Sequence, residues 1–326
     1  MSEKKKALIL GVTGQDGSYM AELLLSKNYD VHGFIRKSAT GNRKNILHFQ
    51  DKITLHKGDL ADATSLYRVI STIKPHEIYN FADQDHVSWS YDSPDYSSDI
   101  TGAAVGRICE IIKQVDKTIK FFQPVSSNMF GKAIETPQNE ETRLRPQSPY
   151  ACAKAYAYLL MRYYRDVFNL STSTAIFYNH ESPRRTDEYV TRKITKAAAR
   201  IKLGLQKKLQ LGDLSLGVDF GYAPDYVNAA WNILQQKPDD FIICTGETHT
   251  IREFLDEAFA VVGLKADDYV EFDPQLLRPG KTDTLVGDYS KATKVFGYKP
   301  NVTFKQLVKI LVEHDLQEEK KPAPNL

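Results

Sequence analysis

A short apolar run, Ala7-Leu8-Ile9-Leu10, passes directly into Gly11-Val12-Thr13-Gly14-Gln15-Asp16-Gly17, and a stretch of helical periodicity, Tyr19–Lys27, follows. This junction constrains the fold more than any other part of the chain. Its glycines let the chain turn sharply out of a buried strand and bring backbone N–H groups close to a diphosphate at a helix N-terminus. Glycine turns are common, so the spacing alone says little. Its place between the first strand and the first helix is what a dinucleotide fingerprint requires. Short apolar runs then recur at Val31–Ile35, Ile53–Leu55, Glu77–Phe81 and Ile119–Phe122, with helical patterns at Thr64–Ile73 and Thr101–Val115. Strands separated by 3.6-residue periodicity imply βαβ units and a buried parallel sheet. A long helix is expected over Ser148–Phe168 and a strand over Ser173–Phe177.

Beyond about residue 178 the spacing loosens, with helices expected at Val190–Leu203, Ala223–Gln235, Ile251–Val262 and Phe304–Leu316. The reading is therefore an α/β fold: a Rossmann-type doubly wound parallel sheet with a smaller C-terminal substrate-binding lobe. Residues 1–178 are expected to bind the dinucleotide and carry the catalytic groups, and residues 179–326 mainly the substrate. Part of 219–245, with Asp219–Val227 the first candidate, returns to the sheet in this reading.

Composition narrows the possible partners. The 326 residues carry a net charge of only +2, which argues against nucleic acid or a membrane surface as a partner. The leading apolar run is too short to span a bilayer. Three cysteines (Cys109, Cys152, Cys244) at irregular spacing fit a reduced, cytoplasmic protein, and no His, Cys and carboxylate grouping has metal-ligand spacing, so no metal is expected. Cys152, Trp89 and Trp231 read as packing residues, and His86 and His180 as equally suited to ligand contact or structural bonding.

Cofactor type turns on the end of the second strand. An acid there holds a ribose 2′-hydroxyl, whereas arginine accommodates a 2′-phosphate. The chain has Arg36-Lys37-Ser38 and no acid, with Arg43 and Lys44 close behind, so NADP is expected. The expected contacts are Gly11, Thr13, Gly14, Gln15, Asp16, Gly17 and Arg36, with Asp59 and Leu60 near the adenine after the third strand.

The catalytic signal is Tyr150-Ala151-Cys152-Ala153-Lys154 on the long helix, whose i, i+4 spacing puts phenol and ammonium on one face. The lysine is expected to lower the tyrosine pKa, letting it take a proton from a substrate hydroxyl and placing both residues near the cofactor. Ser126 and Ser127, in the stretch PVSSNMFGK, are positioned to orient that hydroxyl.

These motifs lie within a longer pattern: GVTGQDGSYMAELLLSKNYDVHG at 11–33, HKGDLAD at 56–62, KPHEIYNFADQDHV at 74–87, SPYACAKAYAY at 148–158, YNHESPRR at 178–185, VTRKIT at 190–195 and TGETHTIREF at 245–254. The chain resembles the extended short-chain dehydrogenase/reductases and, within them, the GDP-mannose 4,6-dehydratases. That resemblance implies hydride transfer from sugar C4 to NADP⁺, loss of water across C5 and C6, and return of the hydride to C6. It implies Ser126, Tyr150 and Lys154 as the catalytic set. It also implies Asn179, Arg185, Arg192 and Arg278 on the nucleotide-diphosphate side, with Arg184 and Lys193 as neighbours, and a homodimer or homotetramer whose basic loop Arg36–Lys44 reaches a neighbour's cofactor site.

Two positions depart from the resembled pattern. Asn128 stands where that family carries a glutamate that handles the C5 proton and the C6 hydroxyl, and an amide cannot shuttle a proton. Loss of a general acid/base commonly costs about 10²–10⁴-fold. Asp83 and Asp85 are the leading replacements, with Glu140 and Glu141 behind them. Val218 stands where the family has arginine, which removes a phosphate contact of roughly 1.5–3 kcal/mol. Three functions are compatible with this: a GDP-mannose-type dehydratase, a GDP-hexose or heptose 4-epimerase, 4-dehydrogenase or 4-keto reductase, and a non-catalytic NADP-binding regulator.

Overall fold

The computed structural model describes residues 4–37, 43–276 and 284–321. Six strands, β1 (Lys6–Leu10), β2 (Asp30–Ile35), β3 (Thr54–Lys57), β4 (Glu77–Asn80), β5 (Lys120–Ser126) and β6 (Thr172–Phe177), join a seventh at Asp240–Ile243 in one sheet. From the edge, the order is Asp240–Ile243, β6, β5, β4, β1, β2, β3, and every pairing is parallel. The order reverses between β1 and β4, and such a switch point opens a ligand crevice at the carboxyl ends of the strands.

Helices α1 (Gln15–Ser26), α2 (Ala63–Ile73), α3 (Trp89–Asp92), α4 (Pro94–Ser97), α5 (Ala104–Val115), α6 (Pro149–Phe168), α7 (Val190–Lys202), α8 (Ala223–Leu234), α9 (Ile251–Val261), α10 (Ser290–Phe296) and α11 (Phe304–Glu319) complete the architecture. One face of the sheet packs on α2, α5 and α6 through Leu66, Ile108 and Met161, and the other on α1 and α8 through Met20, Tyr226 and Ile233. Strand side chains alternate between the two, so the central strands are apolar on both sides. A third core, built from Ile194, Phe254 and Leu311 of α7, α9 and α11, belongs to the C-terminal lobe.

The sequence expectation differs in two places. Asp219–Val227 supplies a two-residue strand, Gly221–Tyr222, paired with His180–Glu181, and the start of α8; the segment that joins the large sheet is Asp240–Ile243. The helix expected from Thr101 is preceded by α3, α4 and one π-helical segment, Ser98–Ala103, before α5 begins.

Candidate active site

At the switch point two loops cross in contact. Gly11 has φ +79°, and a Cβ there would lie 2.6 Å from the Ala82 amide nitrogen, so the turn after β1 fits only a glycine against the loop after β4. Helix α1 begins at Gln15 with no side-chain cap. An uncapped helix start on a strand-to-helix turn leaves amide groups aimed at the crevice, which suits the pyrophosphate of a nicotinamide dinucleotide.

The side chains expected to touch that cofactor are engaged elsewhere in part. Gln15 takes a hydrogen bond from the Ser182 hydroxyl at 2.7 Å and donates to the His180 carbonyl at 3.3 Å. Asp16 pairs with His180 Nε2 at 2.9 Å. Burial works against both charges, but their mutual attraction wins, holding the Asp16 carboxyl below its usual range and His180 above its own. The Thr13 carbonyl accepts from Asn45, Asp59 closes its own turn on the Ala61 amide, and buried Leu60 offers its carbonyl to Arg107. Arg36 stands exposed at the end of β2 and donates to the Tyr96 hydroxyl at 2.6 Å.

On the other side of the switch point, β5 ends at Ser126 and turns through Ser127, Asn128 and Met129. Gly131, with φ +52°, closes the turn; a Cβ there would fall 1.9 Å from the Arg145 carbonyl. The Ser126 hydroxyl accepts from the Asn128 backbone at 3.2 Å and from its side-chain amide at 3.1 Å. Asn128 is thus a donor that fixes the serine oxygen. Ser127 is buried beside it.

Helix α6 delivers the other two groups. Ser148 caps it on the Ala151 amide and Pro149 opens its first turn, fixing its start one residue before Tyr150. Tyr150 and Lys154 are 7% and 4% exposed, which shows that this face of α6 points into the protein. The Lys154 ammonium lies 5.6 Å from the Tyr150 ring centre, donates to the Pro124 carbonyl at 3.1 Å and contacts the Asp83 carboxylate.

The expectation that Lys154 lowers the Tyr150 pKa does not hold in this arrangement. Burial first, then the Asp83 and Asp85 charges, hold the phenol well above its ordinary range, against the Ser126 hydroxyl and the Arg185 charge. Asp83 and Asp85 also behave differently from each other. Asp83 accepts from the Gln84 amide at 2.8 Å while holding Lys154, whereas Asp85 is exposed and bears on Tyr150, Tyr189 and Arg185.

The predicted substrate-side residues separate in the same way. Asn179 is exposed after β6, and its carbonyl takes the Gly221 amide. Arg185 is held over the Tyr189 ring at 3.7 Å, with Glu181 3.7 Å from its Nε. Arg192 corrects the sequence reading: both terminal nitrogens bind Asp315, at 2.7 and 2.5 Å, in a pair almost wholly shielded from solvent. It joins α7 to α11. The spacing could not reveal this, because Asp315 is 123 residues away. Arg184 donates to Ser18 and Glu22 of α1. Arg278 lies outside the described residues. Among the described residues no grouping of His, Cys and carboxylates could hold a metal, and no helix is long and apolar enough to cross a membrane.

Such a centre on such a sheet places the molecule among the extended short-chain dehydrogenase/reductases, an enzyme superfamily. The sequence model of the GDP-mannose 4,6 dehydratase family matches residues 8–311, and the chain belongs to that family. It is 47% identical over 327 residues to GDP-mannose 4,6 dehydratase 2 of Arabidopsis thaliana, covering 96% of this chain and 87% of the relative. It is 40% identical over 351 residues to GDP-mannose 4,6-dehydratase of Vibrio cholerae, covering 96% and 94%. Among solved structures, UDP-glucose 4-epimerase of Thermotoga maritima with UDP-glucose shares the fold at a TM-score of 0.87 and 20% identity, over 97% of this chain and all (100%) of that one. RMD of Pseudomonas aeruginosa complexed with NADPH does so at 0.82 and 20%, over 97% and 100%.

Proposed function

We propose that the chain is an NADP-dependent enzyme acting on a nucleotide-diphosphate sugar of the GDP-mannose kind, with its chemistry beginning at sugar C4. The observation that carries this reading is the burial of Tyr150 and Lys154 together on one face of α6, against the end of β5 that bears Ser126. In this reading, residues 1–178 bind the dinucleotide through the Gly11–Gly17 turn, and residues 179–326 mainly hold the sugar nucleotide, with Asn179 and Arg185 at its rim. When bound, the nicotinamide ring supplies hydride acceptance and return. Ser126, fixed by Asn128, orients the 4-oxygen, and Tyr150 exchanges its proton. Arg36, with no acid beside it at the end of β2, favours NADP over NAD.

A second reading is favoured by one observation: Asn128 binds Ser126 as a donor and cannot move a proton. Chemistry then stops at C4, as in a 4-epimerase, a 4-dehydrogenase or a 4-keto reductase. Incubation of the purified protein with NADP⁺ and GDP-mannose separates the two. A 4-keto-6-deoxy product supports dehydration; a C4 epimer or stoichiometric NADPH supports the second reading. If Asn128→Glu in a non-eliminating protein brings no dehydratase activity, this position is not the block. A purely regulatory role requires Tyr150→Phe to leave function intact, whereas catalysis requires a loss of about 10²–10⁴-fold.

The solvent-facing stripe of α6, with Tyr156, Leu159, Tyr163 and Val167 each about half exposed, supports pairing of subunits along this helix into a homodimer or, by pairing of dimers, a homotetramer. The three cysteines are unpaired, which supports a reducing, cytoplasmic setting.

A further inference from the structure

The two residues that open α1 are held by a segment far away in the chain. Gln15 takes the Ser182 hydroxyl at 2.7 Å and donates to the His180 carbonyl at 3.3 Å. Asp16 uses both carboxylate oxygens: one accepts from the Gln15 side-chain amide at 3.1 Å, and the other meets His180 Nε2 at 2.9 Å. The imidazole is itself fixed. Its Nδ1 lies 2.9 Å from the Tyr178 carbonyl, its ring stacks on Tyr226 with centres 4.6 Å apart, and Phe177 packs edge-on at 5.1 Å.

Both ring nitrogens of His180 therefore face acceptors. A carbonyl can only accept, so Nδ1 carries a hydrogen. The contact at Nε2 then needs a second proton, held by the ring or by Asp16, and the pair has no net charge whichever atom holds it. The charged group nearest the pair is Arg185, which reaches the His180 carbonyl at 3.4 Å and has Glu181 3.7 Å from its Nε. This balance bears on ligand binding, because a carboxylate in the first turn of a helix competes with any other anion for the positive end of that helix. An ionised, unpaired Asp16 would oppose a diphosphate at the start of α1.

We propose that His180, just after β6, is a positioning residue of the dinucleotide site: it cancels the charge of Asp16 and ties its carboxylate down, so that the turn at 11–17 accepts a diphosphate. The inference rests on reading that turn as the diphosphate site of a nicotinamide dinucleotide. His180 acts through Asp16 and needs no contact with the cofactor. The same segment carries Asn179 and Arg185, so the stretch proposed to hold the sugar nucleotide also tunes the turn across the crevice.

The test is the dissociation constants of NADP⁺ and NAD⁺, measured by calorimetry, with the folding of each variant checked by its melting temperature. His180→Phe keeps a ring against Tyr226 and leaves Asp16 unpaired. His180→Gln keeps a donor for Asp16 but carries no charge, and it decides the matter where the phenylalanine variant does not fold. Each should weaken dinucleotide binding by about tenfold. Adding Asp16→Asn to either should recover most of that loss, because the opposing charge is then gone. A merely structural role predicts no such rescue, since a second substitution in the same contact cannot restore a segment that the first displaced. Unchanged binding in the folded single variants overturns the proposal, and so do double variants that bind no better than the single ones. If neither dinucleotide binds the parent protein, the reading of the turn fails and takes the inference with it; if both bind every variant alike, only the inference fails.

Discussion

The two sides of the crevice are built by different means. On the β1 side the turn is shaped by backbone: Gly11 at positive φ, Gly17 with no room for a Cβ beside the Gly11 carbonyl, and a helix start without a side-chain cap. On the far side, position is set by charged and polar side chains that meet across long stretches of chain, as in Arg192 with Asp315, Arg165 with Asp240, and Asp219 with the 245–246 amides. A backbone site is specified by a short local motif. A side-chain site depends on pairings that no local motif contains, so residues there can change partner without the motif changing.

Arg192 offers the hardest test of that contrast. Its partner Asp315 is buried completely and also takes a hydrogen bond from Thr195. Removing one member of a buried pair leaves the other charge uncompensated, commonly a loss of about 3–5 kcal/mol. Arg192→Ala should therefore lower the denaturation midpoint sharply, and the double variant Arg192→Met with Asp315→Leu should recover much of the loss. If Arg192→Ala instead raised KM with stability unchanged, Arg192 would be a ligand contact and the contrast between the two sides would not extend to it.

Asp219 tests the same side through pH. Burial pushes its carboxyl up to about 7, against hydrogen bonds from the Thr245 and Gly246 amides. Below about pH 4 the group is neutral in both folded and unfolded chains. Between about 4 and 7 the unfolded chain has lost the proton that the folded one keeps, so stability falls as pH rises and levels off above 7. The expected loss across that window is roughly 4 kcal/mol. The stability difference between the parent protein and Asp219→Asn should carry this slope. A difference independent of pH between 4 and 7 would mean that Asp219 ionises normally and that its loop is held in another way.

The contrast also explains what could be read from the sequence. The parallel sheet, the glycine turn and the Tyr150–Lys154 face of α6 follow from periodicity and spacing, and each is where the sequence put it. The capture of Arg192 by Asp315, the tie between Asp16 and His180 164 residues apart, and the clamp on Lys154 by Asp83 depend on elements distant in sequence. The loop FADQDHV did carry a signal, two carboxylates near a strand end, but only the packing of Gln84 against Ser97 and Thr101 separates the anchored Asp83 from the exposed Asp85. Part of 219–245 does return to the sheet, but as the four-residue edge strand Asp240–Ile243 rather than the expected Asp219–Val227.

The near side has one place where a side chain rather than the backbone should decide the outcome, and its effect is the smallest. Arg36 is exposed and already bonded to the Tyr96 hydroxyl, so a 2′-phosphate would share the guanidinium with a phenol. A charge-assisted contact at an exposed site is screened and contributes modestly. If the proposed NADP reading holds, Arg36→Ala should reduce the preference for NADP over NAD by about tenfold, equivalent to about 1.4 kcal/mol, with NAD affinity little changed because the proposed pyrophosphate contact at the Gly11–Gly17 turn does not involve Arg36. Tyr96→Phe should move the preference less, since it removes a neutral partner and frees the guanidinium. Cofactor affinities of the three proteins, measured at two salt concentrations, decide the matter: an electrostatic contact weakens with salt in the parent protein and not in Arg36→Ala. If both cofactors bind Arg36→Ala as they bind the parent, Arg36 does not read the 2′-phosphate, and no single side chain on the near side has been shown to decide cofactor choice.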